Sequence, residues 1–277
     1  MGIPWTETQK KRLYELNAVD LPEQEYASEQ ERDQAFRETE KIFAAKTREQ
    51  LSDYQKNIQK PALRVLSEAL RTALLQEGFS EVMTPTIISR QMLARMTIDD
   101  QHALFSQVFW LDKNKCLRPM LAPNLYYVSR DLLRLWKKPV RIFEIGSCFR
   151  KESQGNTHLN EFTMLNLVEW GLPEEERQER IEHLADVVMK AAGLPDYALE
   201  KEESVVYGDT MDITCGGIEA ASGAMGPHFL DAAWGIASTW VGIGFGLERL
   251  IMLKRGGKNV KSYSRSISYL DGARLNI

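Results

Sequence analysis

Two short stretches carry residue types able to hold an anionic ligand with a flat, partly polar ring. The first runs Phe149-Arg150-Lys151-Glu152-Ser153-Gln154-Gly155-Asn156-Thr157-His158-Leu159-Asn160-Glu161-Phe162. A strand ending in Arg-x-Glu, a polar loop bearing His158 and a return strand opening on Phe162 set a cation, a carboxylate, an imidazole and an aromatic face around one hairpin. Arginine neutralises phosphate, a carboxylate accepts from an exocyclic amine, and an aromatic ring stacks on a base, so the set suits a nucleotide. Each residue also has an ordinary reading: Arg150 and Glu152 as a surface ion pair, His158 as a solvated loop residue, Phe162 as core.

The second stretch is Gly242-Ile243-Gly244-Phe245-Gly246-Leu247-Glu248-Arg249-Leu250-Ile251-Met252. Glycine at every second position strips Cβ from one face of an extended strand, so a flat or bulky group can lie against the backbone. Leu247, Leu250 and Ile251, spaced i, i+3, i+4, bury a helix behind it. Arg249 at the helix start adds its charge to backbone N–H groups that already favour phosphate. Alone, the stretch reads equally well as a strand-turn-helix with glycines at a bulge and Arg249 in a surface ion pair.

The elements that must position these groups follow from periodicity. Thr6 to Asn17 reads as a short helix capped by Thr6, and a charged, sparsely apolar helical segment follows from Arg32 to Lys56. Pro61 opens a strong amphipathic helix (Leu63, Leu66, Leu70, Leu74) that Gly78 stops. The run from Phe79 to Ile88 reads as a strand interrupted by Pro85, which places it at an edge or a dimer surface. Residues 107–111 read as a strand, Ala122 to Trp136 as a helix, and 140–149 and 162–169 as two strands. A second amphipathic helix lies between Pro173 and Pro195, closed by Gly193, and 205–231 reads as short strands and turns. Long helices flanking strands that do not alternate with them indicate an α+β domain on an antiparallel sheet.

Composition narrows the class. At 277 residues and 43% hydrophobic content the chain can bury a full core as one large domain or two. No apolar run approaches the roughly 20 residues that span a bilayer, and the start lacks the pattern of a signal peptide. Cys116, Cys148 and Cys215 form no C-x-x-C pair, which argues against a disulfide framework and structural zinc and favours a reducing cytoplasm. The net charge of −4 gives no global attraction to nucleic acid. The end of the chain is locally basic, however, with Lys254, Arg255, Lys258, Lys261, Arg265 and Arg274 against Asp271.

Taken in order, these features resemble the class II aminoacyl-tRNA synthetases. The helix and strand from Pro61 to Pro85 match the first signature of that class, Phe149-Arg150-Lys151-Glu152 the Phe-Arg-x-Glu hairpin, and residues 242–249 the Gly-x-Gly-x-Gly-x-Glu-Arg strand-helix. Within the class, Ala94-Arg95-Met96-Thr97-Ile98, Leu117-Arg118-Pro119-Met120-Leu121-Ala122-Pro123-Asn124-Leu125-Tyr126, Glu161-Phe162-Thr163-Met164-Leu165-Asn166 and Ser268-Tyr269-Leu270 are similar to the pyrrolysine-specific family over the whole chain. It looks like the catalytic polypeptide without the small tRNA-binding domain that some members carry fused in front.

The resemblance implies a six-to-seven-stranded antiparallel sheet flanked by helices, a helical tRNA-contacting region over 1–58 and a catalytic domain over 59–277 with a helical insertion near 173–195. It implies ATP and Mg2+, a cognate pyrrolysine tRNA and a homodimer, and leaves open whether a separate small tRNA-binding protein acts in trans. Arg150 would hold the α-phosphate, with His158 and Arg249 near the terminal phosphates. Arg249 and Phe162 would sandwich the adenine, Glu152 would read its edge, and Leu159 and Gly246 complete the ATP set. Glu219 and Ser222 match positions that bind Mg2+ together with ATP oxygens. Asn166 would bond the amide of the pyrrolysine side chain and Tyr207 would close over it, while Leu121, Ala122, Leu125, Tyr126, Val168, Ala224 and Trp240 line an apolar pocket. Ser129 departs from the pattern, standing where a larger apolar residue is expected at the pocket floor. Two alternatives stay open: a class II relative with another amino-acid specificity, and a non-catalytic paralogue that keeps the fold.

Overall fold

The computed structural model describes residues 2–18, 21, 24–57, 59–151, 159–204 and 206–277. Helix α1 (Glu7–Glu15) starts at Thr6, whose side chain accepts from Gln9 N at 3.2 Å while Thr6 N donates to Gln9 Oε1 at 3.0 Å. This reciprocal cap satisfies two orphan donors, as the Thr-x-x-Gln spacing predicts. Helix α2 (Glu29–Asn57) buries only Ala44 and Thr47, in keeping with its sparse apolar pattern. The two helices are joined by Arg12–Glu40 at 2.7 Å, and Arg274 near the end of the chain reaches back to Glu15 at 3.3 Å.

Helix α3 (Ala62–Gln76) ends before Gly78, whose φ of +80° favours a residue without Cβ. Strands β1 (Ser80–Glu81) and β2 (Ile87–Ser89) flank Pro85, and β2 leads into α4 (Arg90–Ala94). The chain then gives β3 (Lys115–Leu117), α5 (Ala122–Leu135), β4 (Val140–Phe149), β5 (Glu161–Trp170) and α6 (Arg177–Ala192). After them come β6 (Ala198–Ser204), β7 (Gly208–Cys215), β8 (Ile218–Gly226), α7 (Asp231–Trp234), β9 (Trp240–Gly246) and α8 (Leu247–Lys254).

Seven strands form the main sheet in the order β1-β4-β5-β9-β8-β7-β6. All pairings are antiparallel except β1 with β4. The fold is thus α+β with the expected strand count, and its single parallel edge departs from a wholly antiparallel sheet. The run from Phe79 to Ile88 is not one strand: β1 joins the main sheet, and β2 pairs with β3 in a separate ribbon. Residues 107–111 are not a strand either. A 3-10 turn occupies Ala103–Gln107, and Trp110 makes a single bridge to Cys116 on the edge of β3 that β2 leaves open. The stretch 205–231 holds long strands, and β6 before it was not anticipated.

Period-two alternation divides the sheet into two working faces. Leu165, Leu167, Val241, Ile243 and Phe245 point into a core shared with α3, α6 and α8. Helix α6, expected as an insertion, supplies Ile181, Leu184 and Val188 to that core. Met164, Asn166, Val168, Trp170, Gly242, Gly244 and Gly246 lie at alternate positions and line a cavity on the other face. No helix among the described residues is long and apolar enough to cross a membrane.

Candidate active site

The cavity holds about 500 Å³ and extends from Arg150, Phe162, Gly246 and Arg249 at one end to Tyr126, Val168, Ala224 and Trp240 at the other. The sheet places both ends. Antiparallel pairing sets Asn166 opposite Gly244, Val168 opposite Gly242, Ser222 opposite Gly244 and Ala224 opposite Gly242, so three neighbouring strands furnish one wall. A Cβ at Gly244 would meet Met164 Cε at 2.8 Å and Asn166 Nδ2 at 3.3 Å. Glycine there leaves room for cavity-facing side chains of β5. At Gly246 the nearest atom to such a Cβ is Arg249 Cβ at 3.8 Å, so this backbone is open to a ligand.

At the polar end, Arg150 follows β4, donates from Nε to Pro119 O at 2.9 Å and lies 5.3 Å from the centroid of Phe162. The guanidinium therefore already covers one face of the ring expected to stack on adenine. Arg249, in the first turn of α8, donates from Nη1 to Glu219 O at 2.7 Å and pairs with Glu219 Oε1 at 3.4 Å. Glu219, Ser222 and Leu159 also line the cavity. No cluster of three or more His, Cys, Asp or Glu among the described residues could hold a metal by itself. One carboxylate and one hydroxyl fit a Mg2+ ion that draws its other ligands from phosphate and water. Glu152 and His158 lie outside the described residues.

At the apolar end, Tyr126 from α5 stacks on Trp234 at 5.5 Å and meets Trp170 and Trp240 edge-on at 5.4 and 6.1 Å. Tyr207 reaches Trp240 at 6.2 Å between centroids. Ala122, Leu125, Asn166, Tyr207 and Ala224 line the cavity as expected. Leu121 and Ser129 are both fully buried and lie outside this lining, and Ser129 Oγ has no hydrogen-bond partner among the described residues. Helical spacing puts Ser129 on the same face of α5 as Leu125 and Tyr126, one turn further along.

Two further chains are similar over part of this sequence. A threonine–tRNA ligase of Granulibacter bethesdensis is 28% identical over 130 residues, 44% of this chain and 20% of its own length. A phenylalanine–tRNA ligase alpha subunit of Sulfurisphaera tokodaii is 32% identical over 178 residues, 60% of this chain and 36% of its own. The chain therefore spans between a fifth and just over a third of the length of these curated relatives. The family model described as the phenylalanyl tRNA synthetase beta chain CLM domain matches residues 46–232. The crystal structure of a pyrrolysyl-tRNA synthetase from Desulfitobacterium hafniense superposes with a TM-score of 0.92 at 55% identity, covering all of both chains. The chain belongs to the pyrrolysyl-tRNA synthetase family, within the class II aminoacyl-tRNA synthetases.

In this member of the pyrrolysyl-tRNA synthetase family the structure gives the Glu of the Gly-x-Gly-x-Gly-x-Glu-Arg strand-helix a place that its sequence position did not reveal. Glu248 is 2% exposed, and its two carboxylate oxygens accept from Thr163 N at 2.8 and 2.9 Å. It thereby ties the start of α8 to the residue after Phe162. Burial, only partly offset by the Thr163 bonds, pushes its carboxyl up to about 7 from 4.5. Below pH 4.5 the group is protonated in folded and unfolded chains alike. As pH rises the unfolded chain ionises first, so the stability held below 4.5 is lost as pH climbs through about 7, by on the order of 3 kcal/mol. Glu248→Gln should abolish that fall, and urea unfolding of both proteins from pH 4.5 to 8 should show their difference changing by this amount. Parallel profiles would mean that the carboxyl does not titrate in this range.

Other residues of the site were not legible beforehand. Met164 and Trp170 line the cavity through strand alternation alone, and the Asp231 carboxylate bonds Tyr126 and Trp240. Alternation from Asn166 could have found the first two; no local pattern marks Asp231.

Proposed function

We propose that this chain activates an amino acid with ATP and transfers it to a tRNA, and that the amino acid is pyrrolysine or a similar Nε-acylated lysine. The observation that carries this reading is the continuity of one cavity from the two arginines to a deep aromatic end. Arg150, Arg249, Phe162 and the bare backbone at Gly246 suit a nucleoside triphosphate, and the aromatic end suits a long, mostly apolar side chain with an amide in reach of Asn166. An apolar pocket with one buried amide penalises ligands that cannot pair with it.

In the proposed reaction the amino-acid carboxylate attacks the α-phosphorus of ATP and pyrophosphate leaves. The tRNA terminal hydroxyl then attacks the carbonyl of the adenylate and AMP leaves. Arg150 holds the α-phosphate as charge builds on it, and Arg249 neutralises the departing end. Glu219 and Ser222 would hold a Mg2+ ion, which when bound would supply further neutralisation of phosphate charge. The aromatic walls orient the side chain and exclude water.

The same reading gives residues 1–58 a tRNA-contacting role, pairs two chains through the 61–85 region, and places the enzyme in the cytoplasm with a small tRNA-binding protein in trans. ATP–pyrophosphate exchange with pyrrolysine, Nε-carbamate lysines and the standard amino acids tests the core of it. Exchange is expected with the first two groups. Exchange with phenylalanine or lysine alone would overturn the assignment of the amino acid, and no exchange with any of them would overturn the activity.

A further inference from the structure

The aromatic end of the cavity is referred to a single carboxylate. Asp231, at the start of α7, is 3% exposed. Its Oδ1 accepts from Tyr126 OH at 2.8 Å, and its Oδ2 accepts from Trp240 Nε1 at 2.9 Å and from His228 N at 2.7 Å. The two side-chain donors come from α5 and β9, and both belong to cavity-lining residues. Their rings stand 6.1 Å apart at 82°, a corner that neither ring could fix alone.

Two neighbouring contacts restrict the same corner. A Cβ at Gly226 would lie 1.8 Å from Trp240 Nε1, so the indole rests on bare backbone at one edge while its N–H is held by Asp231. His228 Nε2 lies 2.7 Å from Tyr207 O, which ties the Tyr207 segment to the same turn. Residues 226–231 thus touch three aromatic residues contributed by α5, β9 and the segment before β7. Hydrogen bonds to a buried carboxylate are stronger than those between neutral groups and cost more to break. With their polar tips taken by Asp231, Tyr126 and Trp240 present carbon to the cavity.

We infer that Asp231 is the positioning residue of the amino-acid pocket, fixing the angle between Tyr126 and Trp240 and with it the shape that selects the substrate side chain. The inference rests on the proposed assignment of this end of the cavity to the amino acid. It makes selectivity depend on a residue that need not touch the ligand.

Asp231→Asn keeps the size of the side chain but turns an NH2 toward one of its three donors. In ATP–pyrophosphate exchange this variant should raise the amino-acid KM at least tenfold and leave the ATP KM within twofold of wild type. In a Tyr126→Phe background, which has already lost one of the bonds, the same change should raise it by a smaller factor. A second readout is independent of activity. The chain has six tryptophans, and in 15N-tryptophan-labelled protein the indole signal of Trp240, identified by its absence in Trp240→Phe, should exchange with D2O at least tenfold faster in Asp231→Asn.

An unchanged amino-acid KM overturns the inference, as does an equal rise in both KM values, which a loss of general integrity would give. If Asp231→Asn does not fold, Tyr126→Phe alone should raise the amino-acid KM at least threefold, and no rise overturns the inference. Wild-type protein that exchanges with no pyrrolysine-type amino acid overturns the pocket assignment and the selectivity role with it. The indole measurement then still shows whether Asp231 holds Trp240, which separates the two failures.

Discussion

Arg150→Ala is expected to lower kcat/KM for ATP–pyrophosphate exchange by about a thousandfold, with most of the loss in kcat. The guanidinium sits at the end of β4, donating to Pro119 O at 2.9 Å and lying over Phe162 at 5.3 Å. These contacts hold it at the polar end of the cavity before any ligand arrives. A preorganised donor aimed at developing charge contributes roughly 3–4 kcal/mol to a transition state in a water-poor site, and less to the ground state, so its removal falls on kcat. Arg249→Ala should cost less, about a hundredfold, because Arg249 shares its charge with Glu219 at 3.4 Å. Arg150→Lys should recover only part of the loss, since an ammonium keeps the charge but not the planar fork. Urea unfolding should place Arg150→Ala within about 2 kcal/mol of wild type, since the Pro119 bond and the Phe162 contact are each worth about 1 kcal/mol. Activity within tenfold of wild type would remove Arg150 from the chemistry.

The polar half of this site was legible because its chemistry is written in contiguous residues. Arg150 and Phe162 bracket one hairpin, and Gly246 and Arg249 join one strand to one helix, so local pattern and site coincide. Other features depended on partners distant in sequence. The run 107–111 has strand propensity, but its first residue ends a 3-10 turn and the run makes a single bridge, Trp110 to Cys116. Ser129 has the helical spacing of a pocket residue, yet it lies outside the cavity lining. Asp231 acquires its meaning from Tyr126, 105 residues away, and nothing in Phe229-Leu230-Asp231-Ala232-Ala233-Trp234 sets it apart from a solvated turn.

The largest effect on stability is expected at a pair that sequence reasoning passed over. Arg118 and Glu144 form an ion pair at 2.8 Å with side chains 2% and 4% exposed. Arg118 also donates from Nε to Ser147 O at 2.8 Å and from Nη1 to Thr84 O at 3.1 Å and Thr84 Oγ1 at 2.9 Å, while Glu144 accepts from Thr84 N at 3.2 Å. A Cβ at Gly146 would lie 2.2 Å from Arg118 Nη2, so that glycine makes room for the guanidinium. The network fastens the segment before Pro85 and the segment after β3 to β4. Removing one partner strands a buried charge, and Arg118→Ala or Glu144→Ala should each cost about 3–5 kcal/mol in urea unfolding. Arg118→Met with Glu144→Leu should cost less than either single change, because a well-packed apolar pair leaves no charge unmatched. Single losses below about 1 kcal/mol would mean that water reaches the pair. Activity should fall as well, even at temperatures where the variants stay folded. Arg118 O accepts from Phe149 N at 2.9 Å, and the next carbonyl, that of Pro119, accepts from Arg150 Nε. The backbone that seats Arg150 is therefore the backbone that this pair holds in place, and loosening it should lower kcat without a change to any group proposed to touch substrate.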